Sequence, residues 1–196
     1  MSSAMGARSA REVLEFWFSE RSRPLWFERN QAFDEEIRNR FAATLEPAAA
    51  GALDGWMIDP DSSLALVIVL DQFSRNLHRG SPRAFAADPK ARGAADLAIQ
   101  RGFDQRQPLD RRHFFYLPFE HSEHPADQRR SVQLFQRWAD AHDDGTRDQA
   151  YRQLMFVHRH AEIIDRFGRF PHRNECLGRE STPQEIEFLG EPHSSF

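Results

Sequence analysis

The run Leu64-Ala65-Leu66-Val67-Ile68-Val69-Leu70 is apolar on every side, and it constrains the fold more than any other stretch. Whatever element it forms must be buried all round. Its β-branched residues allow a strand, yet no second strand-like run exists to pair with it. Asp61-Ser62-Ser63 precedes it, with Asp61 the expected N-cap, so the spacing predicts a helix at the centre of the domain. The run is far shorter than the ~20 residues a membrane span requires.

Helix signals punctuate the rest of the chain. Ser9 with Glu12 reads as a capping box opening a short helix through Val13, Leu14, Phe16 and Trp17. Phe33, Ile37, Phe41 and Leu45 recur at i+4 steps on a second helix, which Pro47 is expected to end or kink, with a small Ala-rich helix running on towards Trp56. Ser81-Pro82 and Asp88-Pro89 read as helix starts, and Ala91, Ala94, Ala95 and Ala98 follow the second. Asp110 is the expected cap of a helix through Phe114, Phe115 and Leu117, disturbed by Pro118. Pro125 starts another helix, and Thr146 opens a long one carrying Ala150, Leu154, Val157, Ala161 and Ile164, with Gly168 suited to its end. Thr182-Pro183-Gln184-Glu185 is a second capping box. The expectation is an all-α chain of about nine or ten helices. No Gly/Ser-rich or Pro-rich linker divides it, so residues 1–196 read as a single helical domain, with a disordered tail from about residue 190 to 196.

Composition narrows the function classes. A net charge of −4 supplies no positive field for nucleic acid or an anionic membrane, so neither is an expected partner. Lys90 is the only lysine, so nearly every fixed positive charge is a planar guanidinium suited to carboxylate or phosphate. Cys176 is the only cysteine, which excludes an intrachain disulfide and a cysteine metal cage. Met1 to Arg8 hold no apolar segment of the kind a secretion signal needs, and a cytoplasmic location is expected. No Gly-x-Ser-x-Gly elbow or Gly-rich phosphate loop is present, and no cofactor is assigned.

Three polar clusters exceed what a plain helical scaffold needs. Asp71 to Arg79 and Asp165 to Arg173 share the spelling Asp-x-Phe-x-Arg-x-x-His-Arg, each where a helix is expected to end. An Asp near a helix C-terminus opposes the macrodipole and calls for a cation, which Arg75 or Arg169 supplies four residues on. One reading makes each copy a lock on its own helix end. The other makes Asp71, Arg75, Asn76, Arg169, His172, Arg173 and Asn174 a two-sided clamp for an anion. The third cluster is Phe119-Glu120-His121-Ser122-Glu123-His124, bracketed by Pro118 and Pro125. His121 beside Glu123 has the make-up of a general acid/base with its orienting carboxylate. A capping network for the following helix is the plainer reading. His-x-Glu-His lacks established metal-ligand spacing, so no metal is assigned.

Several long motifs, in order, resemble the domain of unknown function 924 family. They run from Val13-Leu14-Glu15-Phe16-Trp17-Phe18 and Trp26-Phe27 through Leu70-Asp71-Gln72-Phe73-Ser74-Arg75-Asn76, Arg79-Gly80 and Ala84-Phe85-Ala86-Ala87-Asp88. Leu117 to Glu123 and Phe167 to Asn174 continue them. The resemblance implies antiparallel helix pairs stacked as a tetratricopeptide-repeat-like superhelix, which periodicity does not show. It carries no reaction and no catalytic residues. Two functions follow as expectations. One is a site for a small anionic ligand, with His121 and Glu123 as catalytic pair. The other is a scaffold that binds a peptide or protein partner. Neither reading fixes an oligomeric state.

Overall fold

The computed structural model describes residues 6–192 and 194–195, and these contain helices and turns but no strand. The chain forms two compact units, one comprising residues up to Arg79 with Arg83–Pro118, the other Gly80–Pro82 with the chain from Phe119 onward.

In the first unit, α1 (Ala10–Trp17) opens on the Ser9–Glu12 capping box. Asn30 caps α2 (Gln31–Ala49) by accepting from the Phe33 N–H. Pro47 lies inside the last turn of α2 and does not end it there. The stretch towards Trp56 is a turn through Gly51, whose φ is +90°, followed by a 3-10 turn at Asp54–Ile58, not an Ala-rich helix. Helix α3 (Pro60–Ile68) is capped by Asp59, with Pro60 at its first position. Asp61, the expected cap, sits one turn-position inside, because Asp59 is the residue that still has extended backbone.

Every side chain from Leu64 to Leu70 is fully buried. Removal from water is worth roughly 1.5–3 kcal/mol for each large aliphatic side chain there. Helix α3 packs on α1 and on α5 (Asp88–Gln100), which presents the small residues Ala91, Ala94, Ala95 and Ala98. Phe16, Trp17, Phe33, Phe41 and Phe73 complete this core with ring centroids 4.8–6.2 Å apart. Beyond Ile68 the backbone does not leave the helix. It widens to a π-turn at Val69–Phe73 and continues as α4 (Ser74–Leu77). The first polar motif therefore lies within a helix, with its exit only at His78. Asp110 falls inside the short α6 (Leu109–Arg112), which starts after Pro108, so it is not a cap.

Helix α7 (Leu117–Glu120) leads the chain into the second unit. There α8 (Pro125–Asp140) and α9 (Arg147–Phe167) pack along their lengths, joined by the short turn at 141–146 as antiparallel neighbours. Gly168, in the left-handed region at φ +69°, ends α9. A loop with a 3-10 turn at Pro171–Arg173 then leads to α10 (Pro183–Leu189), opened by the Thr182–Glu185 capping box. Ile163, Ile164, Phe170 and Phe188 form a core beneath that loop. In the tail, Ser194 is buried and its hydroxyl donates to the Leu189 carbonyl. His193 and Phe196 lie outside the described residues.

Candidate functional site

The π-turn of the first unit holds Asp71, which is 0% exposed. Widened turns of this kind re-aim side chains and recur at functional positions. Arg75 Nη1 lies 3.1 Å from Asp71 Oδ1 and donates to the Asp71 carbonyl at 2.8 Å. The same guanidinium meets Asp88 in a fork, at 2.9 and 3.1 Å. Asp88 stands in the first turn of α5, where a negative charge suits the helix dipole. Gln72 Nε2 donates to the second Asp71 oxygen at 2.6 Å. Arg75 is thus fixed between two buried carboxylates. Asn76 donates through Nδ2 to Asp34 Oδ1 at 2.7 Å.

The second copy of the spelling is wired differently. Asp165 is exposed, and Arg169 turns to Glu185 in a fork at 2.6 and 2.8 Å. Arg169 holds the Glu185 carboxyl down at about 2, against the opposing effect of burial, while Glu185 raises Arg169 in return. Asn174 is buried, donating to Ser181 Oγ and accepting from Arg179 Nε. Arg173 is buried and donates to the His121 carbonyl at 3.0 Å.

The third cluster divides three ways. His124 Nδ1 accepts from the Ala126 N–H, and Ser122 Oγ accepts from the His124 N–H and donates to Asp127, so these residues cap α8. Glu123 accepts both guanidinium arms of Arg179, at 2.7 and 2.9 Å, and the Phe170 N–H at 2.8 Å. Burial pushes its pKa up, but the Arg179 and Phe170 bonds outweigh that and leave it lowered. Gln128 staples the turn by donating to the carbonyls of Glu120 and Ser122.

The remaining groups meet around Phe170. Its ring lies 5.5 Å from the His160 ring and 5.6 Å from the His172 ring, with the Arg173 guanidinium 4.5 Å from its centroid. His160 Nδ1 lies 2.8 Å from the Phe156 carbonyl and 3.1 Å from the buried Glu120 carboxyl. Facing two acceptors, Nδ1 carries the proton. Burial drives the His160 pKa down to about 3, and repulsion from His121, Arg173 and His172 adds to it, so the ring is neutral. The contact with Glu120 is a hydrogen bond from a neutral imidazole, not an ion pair.

The second unit therefore brings together His121, His172 and Arg173, all expected, with Glu120 and His160, which were not. His160 stands three residues after Val157 on the buried stripe of α9, and a polar residue in that register was the available signal. Arg179 had no local signal. Cys176 directs its thiol at the Arg173 carbonyl. Among the described residues, no group of three His, Cys, Asp or Glu is arranged to hold a metal ion, and no helix is long and apolar enough to cross a membrane.

The family model for bacterial proteins of unknown function, DUF924, matches residues 13–193. The chain belongs to this family. A solved structure of a protein of unknown function from Agrobacterium tumefaciens is 42% identical, with a TM-score of 0.84, covering 93% of this chain and 97% of that one. No curated protein matches. The stretches Leu70–Asn76, Leu117–Glu123 and Phe167–Asn174, which carry the DUF924 resemblance, are the same stretches that hold the Arg75 fork, the α8 cap and the cluster around Phe170.

Proposed function

We propose that this DUF924 chain binds a small anionic molecule in its second unit, with Arg173 and His172 as contacts and His121 as the proton-transfer group. The observation that carries this is the convergence of two histidines and one arginine around Phe170, with His121 near enough to repel charge on His160, which burial and these neighbours hold neutral. Such a cluster concentrates positive potential in a poorly solvated place, where an anion is held more strongly than in water. His160 is buried and neutral while His121 is half-exposed, so only the latter is open to exchange protons with a bound molecule. Glu123 acts by position: through Arg179 and the Phe170 amide it holds the loop that carries Arg173. Arg75, Arg169, Asp71 and Asn174 enter this reading as braces: carboxylates engage the two arginines, Arg75 engages Asp71, and Arg179 and Ser181 engage Asn174.

The test is a thermal-shift screen of the chain against small carboxylates, phosphates and sulfates. At least one should raise the melting temperature, and His172→Asn and Arg173→Met should remove that rise. A wild-type protein that no anion stabilises would end this reading, as would a rise that survives both substitutions.

A second reading is a tetratricopeptide-like scaffold for a peptide or protein partner. The closed ion pairs of Arg75, Arg169 and Glu123 favour it, since they act as braces in any helical stack. So does the outer face of α9, which exposes Tyr151, Met155 and Phe156. The α8–α9 hairpin is the kind of unit such stacks repeat. Met155→Glu should abolish co-purification of a partner under this reading and leave anion binding unaffected under the first.

A further inference from the structure

In the first unit a polar cleft of about 420 Å³ lies at the N-terminus of α2, beside the end of α4. We propose that it binds a small carboxylate that also carries a hydrogen-bond donor, such as a hydroxy acid. The volume falls within the roughly 300–1,000 Å³ usual for small-molecule sites.

Three arginines, Arg29, Arg38 and Arg79, line the cleft with two carboxylates, Asp34 and Glu35, leaving one positive charge in surplus. The carboxylates are already engaged. Asp34 takes Arg79 Nε and Nη2 at 2.6 and 3.1 Å and Asn76 Nδ2 at 2.7 Å. Glu35 takes Gln31 Nε2 at 3.0 Å. The arginines are not all spent. Arg38 gives one N–H to the Leu77 carbonyl, and Arg29 makes no hydrogen bond or ion pair among the described residues. The open end of α2 adds first-turn N–H groups, of which the Asn30 side chain satisfies only that of Phe33.

Asn76 is the observation that separates this cleft from a bare helix end. It is only 4% exposed, and its orientation is settled because the amide nitrogen must face the Asp34 carboxylate. Its Oδ1 therefore lies at the other end of an amide that lines the cleft, and has no hydrogen bond among the described residues. No protein group among them takes that acceptor, so it is left to water in the cleft, and a ligand O–H would take the water's place. Guanidinium forks for the carboxylate and one oriented acceptor for a hydroxyl specify the ligand class.

The experiment titrates the full chain with malate, succinate and inorganic phosphate by calorimetry. Malate should bind, and succinate, which lacks the hydroxyl, should bind about tenfold more weakly. Arg29→Gln and Arg38→Gln, both at exposed positions, should each weaken malate by about tenfold, while Arg11→Gln on α1 should not. The proposal is overturned if no probe binds at millimolar concentration. It is equally overturned if malate binding is unchanged in both variants, or if succinate or phosphate binds as well as malate.

Discussion

Asp71 and Asp165 begin the same spelling, and the two copies solve opposite problems. In the first, the aspartate is sealed inside a helix that widens to a π-turn, and Arg75 folds back on it while also gripping Asp88. In the second, the helix ends at Gly168, the aspartate stays in solvent, and Arg169 leaves for Glu185. The last residues diverge too: Arg79 meets Asp34, and Arg173 meets the His121 carbonyl. The copies differ at four positions, and the first of these to redirect the backbone is 74 against 168. Serine lets the backbone carry on, and its hydroxyl donates to the Ala84 carbonyl. Glycine takes the left-handed turn that stops the helix. A shared order of residue types does not transfer partners when the backbone beneath it changes course.

The sharpest way to break the comparison is to remove each arginine. Arg75→Met leaves Asp71 and Asp88 buried without their cation, and unfolding in urea should show a loss of about 3–5 kcal/mol. Arg169→Met should cost clearly less, because that side chain is partly exposed and water can reach the Glu185 carboxylate once it is uncovered. Equal losses would mean that the two copies are equivalent braces after all.

Acid should next separate two groups of the second unit, His160 and Glu185. His160 has a folded pKa of about 3 against an ordinary value of 6.5, so between those values the unfolded chain binds a proton that the native one does not. Stability should therefore fall as pH drops from 6.5 towards 3, at up to about 1.4 kcal/mol per pH unit. His160→Gln should flatten that slope. A wild-type slope unchanged by the substitution would show that His160 is not buried neutral. Glu185, held down at about 2, adds stability that is present above its ordinary 4.5 and is lost only as pH falls through 4.5 to 2. Arg169→Met should delete that lower segment and leave the upper one.

Local chemistry explains what could be read in advance. Ser9–Glu12, Thr182–Glu185, Pro125 and Gly168 mark helix ends through residues at most three positions apart, and all four stand where they were expected. The central helix was legible because an all-apolar run admits one environment. Asp59 rather than Asp61 as cap, and the π-turn, were not legible, since both depend on where the backbone enters and leaves a packed layer. Partner choice was the least legible. Asp88, Glu185, Arg179 and His160 reach their partners across long separations, and nothing in a charge's neighbours says which distant charge will face it. That is why Asp71–Arg75 was foreseen as a pair, while Arg169–Glu185 and Glu123–Arg179 were not.

The smallest expected effect is also the most direct check on what the repeated spelling means. Asp165→Asn changes an exposed side chain near the end of α9 and removes a negative charge that opposes the helix dipole. Stability should move by no more than about 0.5 kcal/mol, and upward if at all. Asp71→Asn makes the same change where the carboxylate touches Arg75 and Gln72 and no water replaces it, so a loss of roughly 1–3 kcal/mol is expected. The double variant Asp165→Asn with Arg169→Met should equal the sum of its parts, because the two residues share no partner. Asp71→Asn with Arg75→Met should fall well short of its sum. Coupling between Asp165 and Arg169 would give the repeated spelling a structural role there that its geometry does not supply; its absence leaves the resemblance between the copies a matter of residue order.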